Sequence, residues 1–132
     1  VIVRNDTIVS TGYNGSPRGR KNCSDLCTCV RENLKIPRGE RYELCRSVHA
    51  EANAIISASK EEMNDATLYM CCTDPNTGNI VGNICSCAMC KRLIINSGIK
   101  EVVTREDKNK FTVYNVEDWV TNDDSLSGQL GY

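Results

Sequence analysis

Two helix starts constrain this chain more than any other feature. The first follows Ser47 and carries His49-Ala50-Glu51; the second follows Ser86 and carries Cys87-Ala88-Met89-Cys90. Serine ahead of a helical segment is a favoured cap, because its hydroxyl accepts from a backbone N–H that has no partner within the helix. Alanines and isoleucines between His49 and Ser59 give the first helix a tightly packing face, and Gly98 stands where the second, from about Cys87 to Asn96, should stop. Thr67 to Cys72 and Ile99 to Val103 read as strands. Strand, helix, strand at this spacing makes a right-handed crossover between parallel strands. The expected fold class is therefore α/β, a layered sandwich around a mixed sheet.

The rest of the chain fills in around that unit. Val1–Val3 and Ile8–Tyr13 suggest a hairpin about Asn5-Asp6, and Asn14-Gly15-Ser16-Pro17-Arg18-Gly19 is loop by composition. Residues 20 to 47 show no clean period and are expected to be irregular, with a pair of helical turns near Leu26–Leu34. Asp74 to Asn79 is a turn cluster, Phe111–Val120 should add one further element, and 121–132 reads as a loose tail. With 132 residues and no repeat or linker, 1–132 is expected to be a single domain. The chain opens at Val1 inside a strand, so an upstream segment is expected to be missing from the sequence.

Composition narrows the function classes. A net charge of −1 gives no global basic field, so nucleic acid is not the expected partner. No apolar run reaches the length of a membrane span. The nine cysteines are an odd number and fit a reducing, cytoplasmic setting better than a disulfide framework. Clustered thiols in such a setting point to metal.

His49, Cys87 and Cys90 supply one imidazole and two thiolates, the three-ligand count that leaves zinc an open position for water. Cys87 and Cys90 are neighbours on one helical turn. His49 and Glu51 would diverge by about 200° within a regular helix, so they converge only at the first turn, before the dihedrals become helical. Glu51 is then the candidate catalytic acid/base, a carboxylate able to take a proton from water and deliver it elsewhere. H-x-E joined to C-x-x-C is the pattern of zinc deaminases. Taken singly, His49 reads as an ordinary hydrogen-bonded helix residue, and C-x-x-C as a redox pair or half of a structural zinc site.

Longer motifs carry a resemblance. Thr11-Gly12-Tyr13-Asn14-Gly15-Ser16-Pro17-Arg18-Gly19, Cys45 through His49-Ala50-Glu51-Ala52-Asn53-Ala54-Ile55, Cys87-Ala88-Met89-Cys90-Lys91-Arg92-Leu93-Ile94-Ile95 and Gly98-Ile99 are similar to the deoxycytidylate (dCMP) deaminase family. That family lies within the cytidine-deaminase-like superfamily, and the likeness covers roughly Val1 to Val103. It implies a three-layer α/β/α sandwich of the cytidine-deaminase type, with an N-terminal helix before the first strand that this sequence lacks. It implies one catalytic zinc, a small-molecule nucleotide as substrate and a homo-oligomer. The implied reaction is hydrolysis at C4 of the cytosine of dCMP, with Glu51 moving protons to N3 and the departing amine. Asn53 would face the sugar, and Asn14, Ser16 and Arg18 would lie at the nucleotide rim. Arg18 and Arg20 are candidate phosphate partners, since guanidinium forks match phosphate oxygens; the alternative is ordinary loop charge. Some relatives carry a second zinc, and Cys23, Cys27, Cys29 and Cys45 are the candidate ligands for one here, although C-x3-C-x-C is unusual spacing. Buried, inert thiols are the other reading of those four.

The sequence departs from the family in two further ways. Ser86 stands where proline usually precedes the first cysteine of C-x-x-C, and Cys71 to Cys85 is longer and more polar than expected. Other readings also remain. A deaminase acting on tRNA adenosine or free cytidine would share the zinc site, and Cys87-Ala88-Met89-Cys90 has the C-x-M-C form of the tRNA branch. A non-catalytic zinc module or a thiol redox protein would use the same cysteines, but neither needs Glu51.

Overall fold

The computed structural model describes residues 1–37 and 39–122. Five strands form one sheet: β1 (Ile2–Arg4), β2 (Thr7–Ser10), β3 (Thr67–Met70), β4 (Glu101–Arg105) and β5 (Phe111–Asn115), in the order β2-β1-β3-β4-β5. β3 and β4 run parallel, with Leu68 opposite Val102, and every other pairing is antiparallel. This is the mixed sheet with one parallel crossover that the strand spacing predicts, and the fold class is α/β.

The β1–β2 turn follows directly from its residues. Asn5 and Asp6 have φ of 49° and 57°, the two positive values that a tight two-residue hairpin turn demands. These residue types tolerate that region better than most. β2 stops at Ser10, short of the expected Tyr13, because Ser10 turns inward and its hydroxyl donates to the Ala54 carbonyl at 2.8 Å.

Between the hairpin and β3 lie α1 (Cys23–Leu26), α2 (Val30–Asn33), a 3₁₀ turn at Tyr42–Leu44, α3 (Ala50–Ile56) and α4 (Lys60–Met63). The irregular segment thus holds two helical turns, α2 within the expected Leu26–Leu34 and α1 ahead of it, ending at Leu26. α4 was not anticipated; it begins with a capping box in which Ser59 Oγ accepts from Glu62 N and Glu62 accepts from Ser59 N. α5 (Ala88–Ser97) links β3 to β4 and ends at Gly98 with φ 81°. An added side chain at Gly98 would also meet the Asn64 side chain. Phe111–Val120, expected to add one element, holds two: β5 and α6 (Val116–Thr121). The tail expected from 121 begins with the last residue of α6, and residues 123–132 lie outside the described ones.

Two cap assignments are corrected. The N-caps are His49 (φ −68°, ψ 152°) and Cys87 (φ −66°, ψ 163°), not Ser47 and Ser86. Each helix starts one or two residues later than the serines suggest. Ser86 is fully buried and its hydroxyl points to Met70 Sδ at 3.4 Å, so it packs the core instead of capping α5.

Ile2, Leu68 and Val102 project from adjacent strands into one core with Ala54 of α3, Met63 of α4, Ile94 of α5 and Val116 of α6. Burying each large aliphatic side chain contributes roughly 1.5–3 kcal/mol. The opposite face of the sheet carries Ile8, Tyr69 and Val113, all exposed. Among the described residues, every helix that contributes to the core lies on one side of the sheet.

Candidate active site

α3 and α5 meet with their N-termini together, and this brings the two motifs to one point. His49 Nδ1 lies 3.4 Å from Cys87 Sγ and 3.4 Å from Cys90 Sγ. The three ligand atoms all lie within 4.8 Å of one another. A tetrahedral zinc with bonds of about 2.0–2.1 Å to nitrogen and 2.3 Å to sulfur holds those atoms about 3.6 Å apart. The donor set and its spacing fit zinc, with three protein ligands and a fourth position left for water.

The thiols are electrostatically unequal. Cys87 is pulled down to about 4, first by the hydrogen bond from the Cys90 thiol and then, against the cost of burial, by its hydrogen bond to His49. Cys90 is pushed up, because its thiol donates to Cys87 and because it is buried beside the Glu51 charge. The hydrogen bond to Cys87 likewise raises His49. Thiolate character at the start of a helix is favoured by the aligned N–H groups there. Metal binding needs both sulfurs deprotonated, and the lowering at Cys87 favours that form for one of them.

Glu51 sits in the first turn of α3 and is only 6% exposed. It lines the same cleft as His49 and Cys87, a cavity of about 690 Å³. Because His49 is a cap with extended backbone, the two side chains escape the 200° divergence of a regular helix and share that cleft.

The Gly12-Tyr13-Asn14 loop forms one wall and is bolted to α3. Asn14 Oδ1 accepts from Ala50 N at 2.8 Å, and Asn53 Nδ2 donates to the Tyr13 carbonyl at 2.8 Å. Gly12 is required by close approach: a Cβ there would overlap the Ala50 carbonyl oxygen and lie 2.5 Å from Ala54 N. Of the four residues expected at the nucleotide, only Asn14 lines the cleft, and its side-chain oxygen is engaged on α3. Asn53 faces the loop instead of the cavity. Ser16 has its backbone N–H on Asn22 Oδ1 and a buried hydroxyl without a partner, while Arg18 is exposed in the following turn.

Cys23, Cys27, Cys29 and Cys45 do not gather. Among the described residues, the one group of three or more potential ligands within 4.8 Å is His49, Cys87 and Cys90. Cys27 is exposed, the other three are half-buried, and all four are free. Cys27 Sγ is instead turned back toward the Ser24 carbonyl at 3.6 Å, within its own helical turn.

Two residues on the cleft were not singled out from sequence. Tyr42, from the 3₁₀ turn, sets its ring against that of His49 with centroids 5.0 Å apart and planes at 86°. Arg105, at the end of β4, is the one cationic side chain lining the cleft among the described residues. No spacing in the sequence links either of them to the zinc motifs.

Fold and site together define a zinc-binding α/β domain with its three metal-ligating side chains at the meeting of two helix N-termini. The family of the cytidine and deoxycytidylate deaminase zinc-binding region matches residues 1–106, and the chain belongs to that family. His49, Cys87 and Cys90 are the donor set that this zinc-binding family region brings together here. A deoxycytidylate deaminase of Mycobacterium phage D29 is 36% identical over 108 residues, spanning 78% of this chain and 73% of its own. One from Schizosaccharomyces pombe is 35% identical over 109 residues, covering 83% of this chain and 30% of its own. One from Saccharomyces cerevisiae is 37% identical over 118 residues, covering 86% and 33%. The chain thus spans about a third of the length of these yeast relatives. No helix among the described residues is long and apolar enough to cross a membrane.

Proposed function

We propose that this chain catalyses hydrolytic deamination of a cytosine nucleotide, dCMP to dUMP and ammonia, with His49, Cys87 and Cys90 as the zinc ligands and Glu51 as the catalytic acid/base. The observation that carries the reading is the buried Glu51 in one cleft with a three-ligand site, since a purely structural zinc takes four protein ligands and needs no proton carrier. Zinc, when bound, supplies a Lewis acid that brings the pKa of a water toward about 7. Glu51 would take one proton from the attacking water and pass it to N3 as oxygen adds to C4. It would then carry the remaining proton of that oxygen to the 4-amino group, so that the C4–N bond breaks and ammonia leaves. The cleft walls exclude bulk water from the carboxylate, and the aligned N–H groups at the two helix starts favour negative charge between them.

Asn14 on the wall and Arg18 in the adjoining loop are assigned to the sugar and phosphate, with Arg105, whose guanidinium also donates to the Asp107 and Lys108 carbonyls, as a further cation on the cleft. Exposed Ile56 of α3 and Leu93 of α5 support a homo-oligomer. The free cysteines support a cytoplasmic setting. The test is ammonia release from dCMP, cytidine and a tRNA stem-loop, side by side, on zinc-quantified protein. A clear preference for dCMP is expected. Equal turnover of cytidine would remove the phosphate from the reading, and one zinc per chain with no ammonia from any substrate would leave a non-catalytic module.

A further inference from the structure

We propose that Tyr42 is a positioning residue for the His49 imidazole, itself held in place by Arg31; the inference rests on the reading that His49 is a zinc ligand. An imidazole at a cap position has no helical neighbour to fix its ring, and rotation about the ring bond is intrinsically broad. Metal-bound histidines are normally fixed by a hydrogen bond from the second ring nitrogen to a carboxylate, carbonyl or water. Here Nδ1 faces both sulfurs at 3.4 Å. Among the described residues, no side chain or carbonyl takes a hydrogen bond from Nε2 of His49.

The Tyr42 ring supplies the missing restraint. Its centroid lies 5.0 Å from that of His49 at an interplanar angle of 86°, an edge-to-face contact in the preferred range. Tyr42 is in turn clamped from behind. The Arg31 guanidinium lies 4.4 Å from the Tyr42 centroid, while Arg31 Nε donates to the Glu40 carbonyl at 3.0 Å and a terminal nitrogen donates to the Pro37 carbonyl at 2.7 Å. Arg31 is therefore fixed by backbone on one side and lies against the aromatic face on the other. The irregular segment ahead of α3 thus acts on the metal through one ring, with no ligand of its own.

Wild type, Tyr42→Phe, Tyr42→Leu and Arg31→Gln are to be compared by zinc affinity, by the visible spectrum of the cobalt-substituted protein and by steady-state turnover of dCMP. Tyr42→Leu is expected to weaken zinc binding about 10- to 100-fold, the usual effect of losing a partner of a ligand, and to shift the cobalt bands. Its kcat should fall with KM unchanged. Tyr42→Phe keeps the ring and should restore all three readouts. Arg31 is outside the cleft, and Arg31→Gln should move the metal readouts in the same direction by less, which carries the test if Tyr42→Leu does not fold. Wild-type zinc affinity and cobalt bands in Tyr42→Leu would overturn the proposal, as would a raised KM with intact kcat, which would make Tyr42 a substrate contact. Failure of wild type to release ammonia would count against the proposed reaction alone, because zinc affinity and the cobalt spectrum judge Tyr42 without substrate.

Discussion

Gly12→Ala tests how the cleft wall is joined to the helix that carries Glu51. The new methyl would stand 2.5 Å from Ala54 N and overlap the Ala50 carbonyl oxygen, where carbon contacts are ordinarily 3.4 Å or more. α3 cannot retreat, because Ala54 is 1% exposed in the core and its carbonyl is tied to Ser10 Oγ. The loop must therefore lift by about 1 Å, as overpacked sites do by shifting backbone. Overpacking of this kind costs about 1–3 kcal/mol. Lifting also stretches Asn53 Nδ2 to Tyr13 O and Ala50 N to Asn14 Oδ1, at about 0.5–1.5 kcal/mol each. The sum, about 2–6 kcal/mol, is a large fraction of the roughly 5–15 kcal/mol that stabilises a domain. Urea unfolding at saturating zinc, followed by circular dichroism, reads it directly, with zinc fixed so that metal linkage does not enter. Gly78→Ala is the control: it has φ 71° and open space around it, so it carries only the left-handed backbone penalty of about 1–2 kcal/mol. A Gly12→Ala protein within about 0.5 kcal/mol of wild type, the range of ordinary surface changes, would refute the argument that backbone contact fixes this wall.

Three further outcomes are expected. Glu51→Gln should keep one zinc per chain by metal analysis and lose about 10²- to 10⁴-fold in kcat, so near-wild-type turnover would remove the carboxylate from its role. Stripping zinc with a chelator, or replacing His49 by Ala, should abolish turnover and lower the melting temperature, with readdition restoring both in the chelated wild type only. Glu62 is held below its ordinary value of 4.5 by the Ser59 backbone N–H and hydroxyl. The unfolded chain binds the proton more readily, so this contribution is present above pH 4.5 and is lost as pH falls through the lower folded value. The stability gap between wild type and Glu62→Ala should therefore be constant near neutrality and shrink below pH 4.5.

How far the sequence disclosed this arrangement depended on how local each cause was. The hairpin at Asn5-Asp6, the stop at Gly98 and the parallel crossover were legible because adjacent residues or short spacings determine them. The convergence of His49, Cys87 and Cys90 was legible from ligand chemistry. The caps were misread because serine propensity pointed to Ser47 and Ser86, while His49 and Cys87 themselves adopt the extended cap conformation. Asn14, 36 positions away, supplies the acceptor at the start of α3, and no local rule announces that. Asn53 and Ser16 read as substrate contacts from motif alone, whereas their partners in space are loop backbone for the one and a buried, unpaired environment for the other. The four cysteines from 23 to 45 show the same limit, since spacing states which thiols are near in sequence and says nothing of whether the backbone folds them inward.

α3 spans only seven residues, and nearly every position around it already has a separate duty. His49 faces the sulfurs, Ala50 N–H meets Asn14, Glu51 enters the cleft, Asn53 grips Tyr13 and Ala54 fills the core and receives Ser10. Such a stretch leaves evolution little freedom, because a substitution that improves one task disturbs another a single residue away. Drift in the cavity's preferences should therefore accumulate at Cys71, Cys72, Thr73, Ile84 and Cys85, which border the same cavity with fewer obligations. Directed libraries aimed at a new base or sugar belong there.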